Sequence, residues 1–171
     1  WKILDASSTH VMMHTDLGAT WPYRGQVTHH VAVHDDIIEC RLIVTTHETS
    51  MPAQVGWHPW FVRPCIAITE FDEMYVRDAR GIPTGKLITP TTGPHDDCFH
   101  GARRAPSLNF DNSLHLTIES NCSHWVIYDE PEHALCVEPQ SGPPDGFNLE
   151  PLVVTPCQPL ERFMRLRISA D

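Results

Sequence analysis

One short segment places a titratable imidazole among aromatic rings. It reads Gly56-Trp57-His58-Pro59-Trp60-Phe61. Burial lowers the pKa of a histidine and a neighbouring carboxylate raises it, so such a position can hold a proton donor near neutral pH. Flat aromatic rings beside polar groups also suit the apolar faces of a sugar ring. The alternative is a core histidine packed by tryptophans, and the segment taken alone favours that alternative.

A second segment supplies a carboxylate at the end of an apolar run. Glu138 follows Ala134-Leu135-Cys136-Val137 and precedes Pro139-Gln140, and the segment Pro144–Asn148 (Pro-Asp-Gly-Phe-Asn) comes shortly after it. Charged side chains are rarely fully buried without a partner. Glu138 is therefore either a solvated strand end or a carboxylate held in a pocket as a general base.

The twelve histidines of the chain raise the question of a metal site. Two clusters combine histidine with aspartate. The first consists of His29, His30, His34, Asp35 and Asp36, and the second consists of His95, Asp96 and Asp97. On a strand, His30 and His34 share a face but lie about 13 Å apart. Metal ligands must converge within about 2 Å of one ion, and neither HExxH nor facial-triad spacing occurs. We expect solvated histidines and no metal.

These segments need a scaffold, and the composition favours β-structure. Proline accounts for 15 of 171 residues, hydrophobic residues for 41% and charged residues for 20%. That much proline breaks helices and punctuates short strands. The net charge of −10 disfavours binding to phosphate backbones. No apolar run approaches the roughly 18 residues of a spanning helix, so we expect neither nucleic acid nor membrane as a partner.

Several segments alternate apolar and polar residues with the two-residue period of strands. They are residues 40–46, 114–118 and 161–169, and further candidates are 27–33, 65–69, 125–129 and 135–137. Residues 1–5 also read as a strand. Glycine–proline turn signals separate these segments, and no amphipathic run of three helical turns is found. One buried and one solvated face is typical of antiparallel sheets. The pattern predicts an all-β, antiparallel sandwich or barrel without an internal domain boundary.

The six cysteines are widely spaced and contain no CxxC pair. That spacing favours neither a zinc ribbon nor a disulfide-rich secreted scaffold. We expect unpaired thiols in a cytoplasmic protein.

The two opening segments resemble those of one family, the aldose 1-epimerases or galactose mutarotases. Residues 56–61 are similar to the family's His-Pro-Tyr/Trp-Phe segment, which carries its catalytic acid. Residues 136–148 (CVEPQSGPPDGFN) are similar to its Glu-x-Gln segment, followed by Pro-Asp-Ala-x-Asn, which carries its catalytic base. Residues 96–99 (Asp-Asp-Cys-Phe) resemble its Asp-His-x-Phe segment, whose aspartate binds sugar hydroxyls. The three motifs occur in the family's order, and the resemblance runs from about Trp21 to the C-terminus.

The resemblance implies a galactose mutarotase-like antiparallel β-sandwich and a cofactor-free isomerase that interconverts the α and β anomers of a hexose such as glucose or galactose. His58 would be the catalytic acid and Glu138 the catalytic base. The implied substrate-binding residues are Asp96, Gln140, Trp57 and Trp60. Two positions depart from the family pattern, since Asp97 stands where it often has histidine and Gly146 where it often has alanine.

Family members are longer, and their N-terminal half carries an Asn-Arg pair and another sugar-binding histidine that the sequence lacks. We therefore expect residues 1–171 to be the C-terminal part of a single aldose 1-epimerase domain, incomplete at its N-terminus.

Two other functions remain open at this point. A hexose-6-phosphate 1-epimerase would need arginines for the phosphate, and Arg63, Arg103 and Arg104 are candidates. A non-catalytic carbohydrate-binding β-sandwich would use the aromatic residues alone.

Overall fold

Nearly all regular structure in the chain is β-strand. The computed structural model describes residues 1–110 and 113–170. The strands are β1 (Lys2–Ala6), β2 (His10–Asp16), β3 (Gly25–His34), β4 (Ile37–Thr46), β5 (Met51–Pro52), β6 (Trp60–Val62), β7 (Ile66–Ile68), β8 (Phe71–Arg77), β9 (Pro83–Ile88), β10 (Asp96–Ala102), β11 (Ser107–Phe110), β12 (Leu114–Ser120), β13 (His124–Tyr128), β14 (Ala134–Gln140), β15 (Val153–Val154) and β16 (Leu160–Ala170). The described helix α1 (Gly146–Leu149) has four residues. No described helix has the length and apolar character needed to cross a membrane.

The strands form two large antiparallel sheets and one small one. The larger sheet has eight strands in the order β1-β2-β3-β4-β16-β12-β11-β7, and the second has six in the order β6-β14-β13-β10-β8-β9. The strands β15 and β5 pair separately. β16 lies between β4 and β12, so the last of the described strands joins the two halves of the larger sheet.

The main hydrophobic core lies between the two large sheets. Leu116, Ile118 and Met164 contribute from the eight-stranded sheet, and Trp125 and Val137 contribute from the six-stranded sheet. Ile118 and Val137 are fully buried. Burying apolar area at roughly 25 cal/mol per Å² makes this interface the main source of stability. The chain is thus a β-sandwich, which confirms the predicted fold class.

The alternating segments of the sequence form strands, and alternate residues in them are more deeply buried. In β4, Val44 and Thr46 are buried, and in β12 Leu116 and Ile118 are buried. The candidate strand at residues 135–137 is placed correctly but is too short. β14 continues through Glu138 and Pro139 to Gln140. Glu138 therefore lies within a strand and does not end one.

The six-stranded sheet uses its two faces differently. Because side chains alternate along β14, Val137 points into the core while Cys136 and Glu138 point to the opposite face. The neighbouring strands carry the same alternation, since Val126 of β13 and Cys98 of β10 lie in register with Glu138. We call this opposite face the outer face of the six-stranded sheet.

Candidate functional site

His58 and Glu138 lie in direct contact on the outer face. The Nε2 atom of His58 is 3.2 Å from Oε1 of Glu138. The Glu138 side chain is 4% exposed, whereas that of His58 is 56% exposed. A buried carboxylate thus contacts an imidazole that reaches solvent. The structure brings together the acid and base that the resemblance implied, although 80 residues separate them in sequence.

The groups around Glu138 shift the pKa of its carboxyl group in both directions. Burial raises the pKa of Glu138 above its ordinary value, and the negative charge of Asp96 adds to that rise. His58 and a hydrogen bond from Gln140 act in the opposite direction. Nε2 of Gln140 donates to Oε2 of Glu138 over 3.1 Å. Both carboxylate oxygens are therefore held in fixed directions, one toward the imidazole and one toward the amide.

The segment that carries His58 runs along the edge of β14. Gly56 forms an isolated antiparallel bridge with Gln140, and the backbone N–H of Trp57 donates to the carbonyl of Pro139 over 3.1 Å. A Cβ atom on Gly56 would lie 2.9 Å from that carbonyl oxygen. The absence of a side chain at Gly56 is what allows this close approach.

The two tryptophans of this segment point in different directions. Trp57 packs against the main core, and its indole N–H donates to Nε2 of His29 over 3.4 Å. Trp60 is 53% exposed and stacks on His58 with ring centroids 5.6 Å apart and planes inclined by 12°. It also stacks on His133. Trp57 therefore packs against the core and also lines the cleft described below, whereas the Trp60 ring lies outside that lining and supports His58.

An open cleft of about 370 Å³ lies above this pair. Pockets for small molecules usually measure about 300–1,000 Å³. Its lining combines the His58 segment with the end of β14, and consists of Gln54, Val55, Gly56, Trp57, His58, Glu138 and Gln140. Gln140 thus faces the cleft, and its role in substrate binding stays a prediction.

Asp96 lies at the start of β10 on the same face of the sheet. Its side chain is half-exposed and forms an ion pair with Arg77 at 3.2 Å. Arg77 also forms an ion pair with Asp97, with Nε 2.8 Å from Oδ1. The other carboxylate oxygen of Asp97 lies 3.1 Å from Nδ1 of His95. Asp96 is near enough to Glu138 to raise its pKa. It is absent from the cleft lining itself, so it lies at the margin of the site.

The arginines considered for a phosphate site are engaged elsewhere. Arg103 pairs with Asp72 at 2.7 Å and Arg104 with Glu70 at 2.6 Å. Arg63 donates to the backbone carbonyl of Asp129 over 2.9 Å. No arginine or lysine is among the described residues that line the cleft.

Sequence analysis missed a buried polar cluster on the outer face. The Tyr75 hydroxyl lies 3.0 Å from Nε2 of His124 and donates to Oε1 of Glu150 over 2.5 Å. Burial lowers the pKa of His124 to about 4. His124 is in register with Gln140, so the cluster lies beside the cleft. Its members come from β8, β13 and the end of α1, and no local pattern links them.

The site also contains a group of mixed metal-ligand types. His58, Cys136 and Glu138 place one ligand atom each so that all three atoms lie within 4.8 Å of one another. The sequence-based search for metal ligands considered histidine and aspartate clusters and overlooked these three residues. Cys136 and Glu138 share a face because they are two positions apart on β14.

Comparison with known proteins shows similarity in fold and not in overall sequence. No protein-family model matches the chain, and no curated protein matches it. The fold matches a protein from Escherichia coli K12, provisionally named aldose 1-epimerase, with a TM-score of 0.85 and 15% identity. A galactose mutarotase-like protein from Clostridium acetobutylicum matches with a TM-score of 0.83 and 16% identity. Galactose 1-epimerase from Lactobacillus acidophilus matches with a TM-score of 0.82 and 14% identity.

These matches cover essentially the whole chain. They include 100%, 100% and 99% of it, in the same order, but 69%, 66% and 66% of the respective neighbours. The chain thus spans about two thirds of the length of the solved structures it resembles. The expectation that it forms the C-terminal part of one domain stays a prediction. The chain has the antiparallel β-sandwich fold of the aldose 1-epimerases and galactose mutarotase-like proteins.

Proposed function

We propose that the protein is an aldose 1-epimerase that interconverts the α and β anomers of a free hexose. The observation that carries the proposal is the 3.2 Å contact between His58 and the buried carboxylate of Glu138, at the floor of an open cleft. Mutarotation needs one acid and one base that reach the same sugar ring. The shared fold of the solved structures named above supports the assignment by analogy.

The reaction uses proton transfers alone. Glu138, as a carboxylate, removes the proton from the C1 hydroxyl of the sugar while protonated His58 donates its proton to the ring oxygen. The bond between C1 and the ring oxygen breaks, and C1 becomes a carbonyl. Rotation about the C1–C2 bond then presents the other carbonyl face, and the reverse transfers close the ring as the opposite anomer. The raised pKa of Glu138 suits this role, because a base works best when its pKa approaches the working pH.

Neighbouring polar groups would orient the sugar. Gln140 faces the cleft and donates to Glu138, so its amide oxygen is available to accept a sugar hydroxyl. Asp96 would accept a hydrogen bond from a sugar hydroxyl at the margin of the cleft. Trp60 holds the His58 imidazole by stacking, and this support keeps the acid directed toward the ring oxygen.

A free sugar is favoured over a sugar phosphate. Arg103 and Arg104 form ion pairs with carboxylates, and the described lining of the cleft contains no arginine or lysine. A phosphate group would find no bidentate cation there. Parallel assays with glucose and glucose 6-phosphate are expected to show faster turnover of glucose.

The decisive experiment is polarimetry of freshly dissolved α-glucose or α-galactose with the variant Glu138→Gln. The amide keeps the shape of the side chain but cannot act as the base. We expect the catalysed rate to fall by about 10²–10⁴-fold, the usual contribution of one positioned acid or base. The matched control is Glu48→Gln, an exposed glutamate in the turn after β4, and it should retain the full rate.

Two results would contradict the proposal. One is an equal rate for the Glu138→Gln variant and the unmodified protein. The other is sugar binding by the unmodified protein with mutarotation at the uncatalysed rate, which would instead indicate a carbohydrate-binding module.

A further inference from the structure

Two residues that line the cleft, His58 and Glu138, and the buried Cys136 beside them bring three possible metal-ligand atoms close together. The His58 imidazole, the Cys136 thiol and the Glu138 carboxylate lie within 4.8 Å of one another. Ligands that bind a tetrahedral zinc ion at about 2.0–2.3 Å lie about 3.3–3.8 Å apart. The contact of 3.2 Å between His58 and Glu138 already matches that value. Shifts of about 1 Å or less by the remaining atoms would complete the geometry.

We propose that His58, Cys136 and Glu138 form a binding site for a thiophilic divalent cation, of which Zn²⁺ is the type. A set of one nitrogen, one sulfur and one oxygen ligand suits zinc and disfavours magnesium and calcium, which prefer oxygen ligands throughout. Three protein ligands leave a fourth position open toward the cleft. Among the residues that the structure describes, these are the ones found to converge in this way.

Two features of the surroundings support the site. Gln140 donates to the second carboxylate oxygen of Glu138 over 3.1 Å, and Trp60 stacks on His58. Such contacts hold metal ligands in fixed orientations. The half-exposed His58 opens the path for an ion from solvent, whereas Cys136 and Glu138 are buried below it. Binding replaces the thiol proton of Cys136 by the metal, and that proton leaves to solvent.

The site has a consequence for catalysis that rests on the proposed function. The ion would occupy the same atoms that serve as acid and base, so Zn²⁺ is expected to inhibit mutarotation in competition with the sugar. Binding of the metal itself does not depend on catalysis. The two proposals can therefore fail separately.

The test uses Co²⁺ as a spectroscopic probe and Zn²⁺ as its competitor. The protein carries Cys157→Ser, because Cys157 is the exposed cysteine. We expect one equivalent of Co²⁺ to produce a thiolate-to-metal charge-transfer band that Zn²⁺ removes. Loss of an outer-shell partner alone weakens metal binding by about 10–100-fold. Loss of a ligand through Cys136→Ser or His58→Ala should therefore weaken binding of Zn²⁺ by at least that factor, and Cys136→Ser should also abolish the band.

The matched control is Cys98→Ser. Cys98 is buried on the outer face of the same sheet, but it lies outside the converging group. This variant should bind both metals as the parent does. His58→Ala changes a half-exposed side chain, so it tests the metal site even where Cys136→Ser destabilises the fold.

The results of these experiments distinguish a failure of the metal site from a failure of the proposed function. Absence of Co²⁺ binding, a cobalt complex without the thiolate band, or equal Zn²⁺ affinity in the parent and the His58→Ala variant would overturn the metal site. A thiolate complex together with an absence of mutarotation in the metal-free protein would uphold the site and refute the proposed function.

Discussion

Two titratable groups on the outer face show how burial acts on side chains of opposite charge. Burial raises the pKa of Glu138 and lowers that of His124, since in each case it disfavours the charged form. Glu138 opens onto the cleft through its contact with His58. His124 is enclosed by Tyr75, Ser123, His100 and Glu150. Under the proposed function, Glu138 would therefore exchange a proton with the ligand, and His124 would have a structural role.

The buried His124 predicts a loss of stability in mild acid. Its pKa is about 4 in the folded protein, compared with an ordinary value of 6.5. Between these values the unfolded chain binds a proton at His124 that the folded protein does not bind. The free energy of unfolding should therefore decrease as the pH falls from about 6.5 to about 4, by on the order of 3 kcal/mol from this residue. Urea unfolding followed across this pH range measures the slope.

The variant His124→Gln isolates this contribution, because glutamine does not titrate and can still bond to the Tyr75 hydroxyl. The pH dependence should become flatter by the amount assigned to His124. His47→Gln is the matched control, since His47 is an exposed histidine in the turn after β4 and is not among the groups that shift the pKa of His124. Equal slopes for the unmodified protein and the His124→Gln variant would refute the assignment.

The sequence motifs identified some residues of the candidate site and its surroundings but not others. The motifs predicted a role for His58 and Glu138, and the structure places these two in contact. The same motif could not distinguish the largely buried Trp57 from the exposed Trp60, because it specifies residue order and not the direction in which each ring points. The Tyr75–His124–Glu150 cluster gave no local signal, since its members meet only through the pairing of distant strands.

At the scale of elements, β14 and the segment beside it position the site. Alternation along β14 sends Val137 into the core and Glu138 toward the cleft. The edge contact of Gly56 and Trp57 with Gln140 and Pro139 brings His58 alongside. Alternation was readable in the sequence. The edge contact was not, because nothing in residues 53–59 specifies which strand they follow.

Gly56→Ala is predicted to disturb the site through this edge contact. The added Cβ would lie 2.9 Å from the Pro139 carbonyl oxygen and 2.9 Å from Cγ of Gln140, so the segment must move away from β14. A misplacement of about 1 Å can cost 10²-fold in rate. We expect mutarotation to fall by about 10–100-fold, with a loss of about 1–3 kcal/mol in the free energy of unfolding from overpacking. Polarimetry and urea unfolding measure the two effects.

The matched control is Gly142→Ala, just beyond the end of β14. A Cβ atom there would lie 3.4 Å from Cδ of Gln54, which is an ordinary contact. Its rate should stay close to that of the unmodified protein. Full activity in the Gly56→Ala variant would show that the close approach of Gly56 does not position His58.

In the molecule as a whole, the residues of the main core and those of the candidate site lie on opposite faces of the six-stranded sheet. The core fills the space between the two large sheets, and the candidate site lies on the outer face of the six-stranded sheet. Period-two alternation and proline content predicted an all-β antiparallel fold. The order of strands was beyond such reasoning, because β16 pairs with β4 across more than a hundred residues and local patterns do not encode long-range partners.

The six cysteines provide a probe of this organisation. All six are free thiols in the structure, and their burial is graded, with Cys157 exposed, Cys40 and Cys65 intermediate, and Cys98, Cys122 and Cys136 buried. The thiolate is the reactive form, and burial raises the pKa of the five shielded cysteines.

A thiol reagent added to the native protein should react quickly with one equivalent, which Cys157→Ser removes. Reaction at Cys40 and Cys65 should be slower, and the three buried thiols should react at the rate of unfolding. Denatured protein without reductant should show six thiols. Fewer than six would reveal a disulfide, and a fast phase that persists in the Cys157→Ser variant would show that the sandwich exposes thiols assigned to its interior.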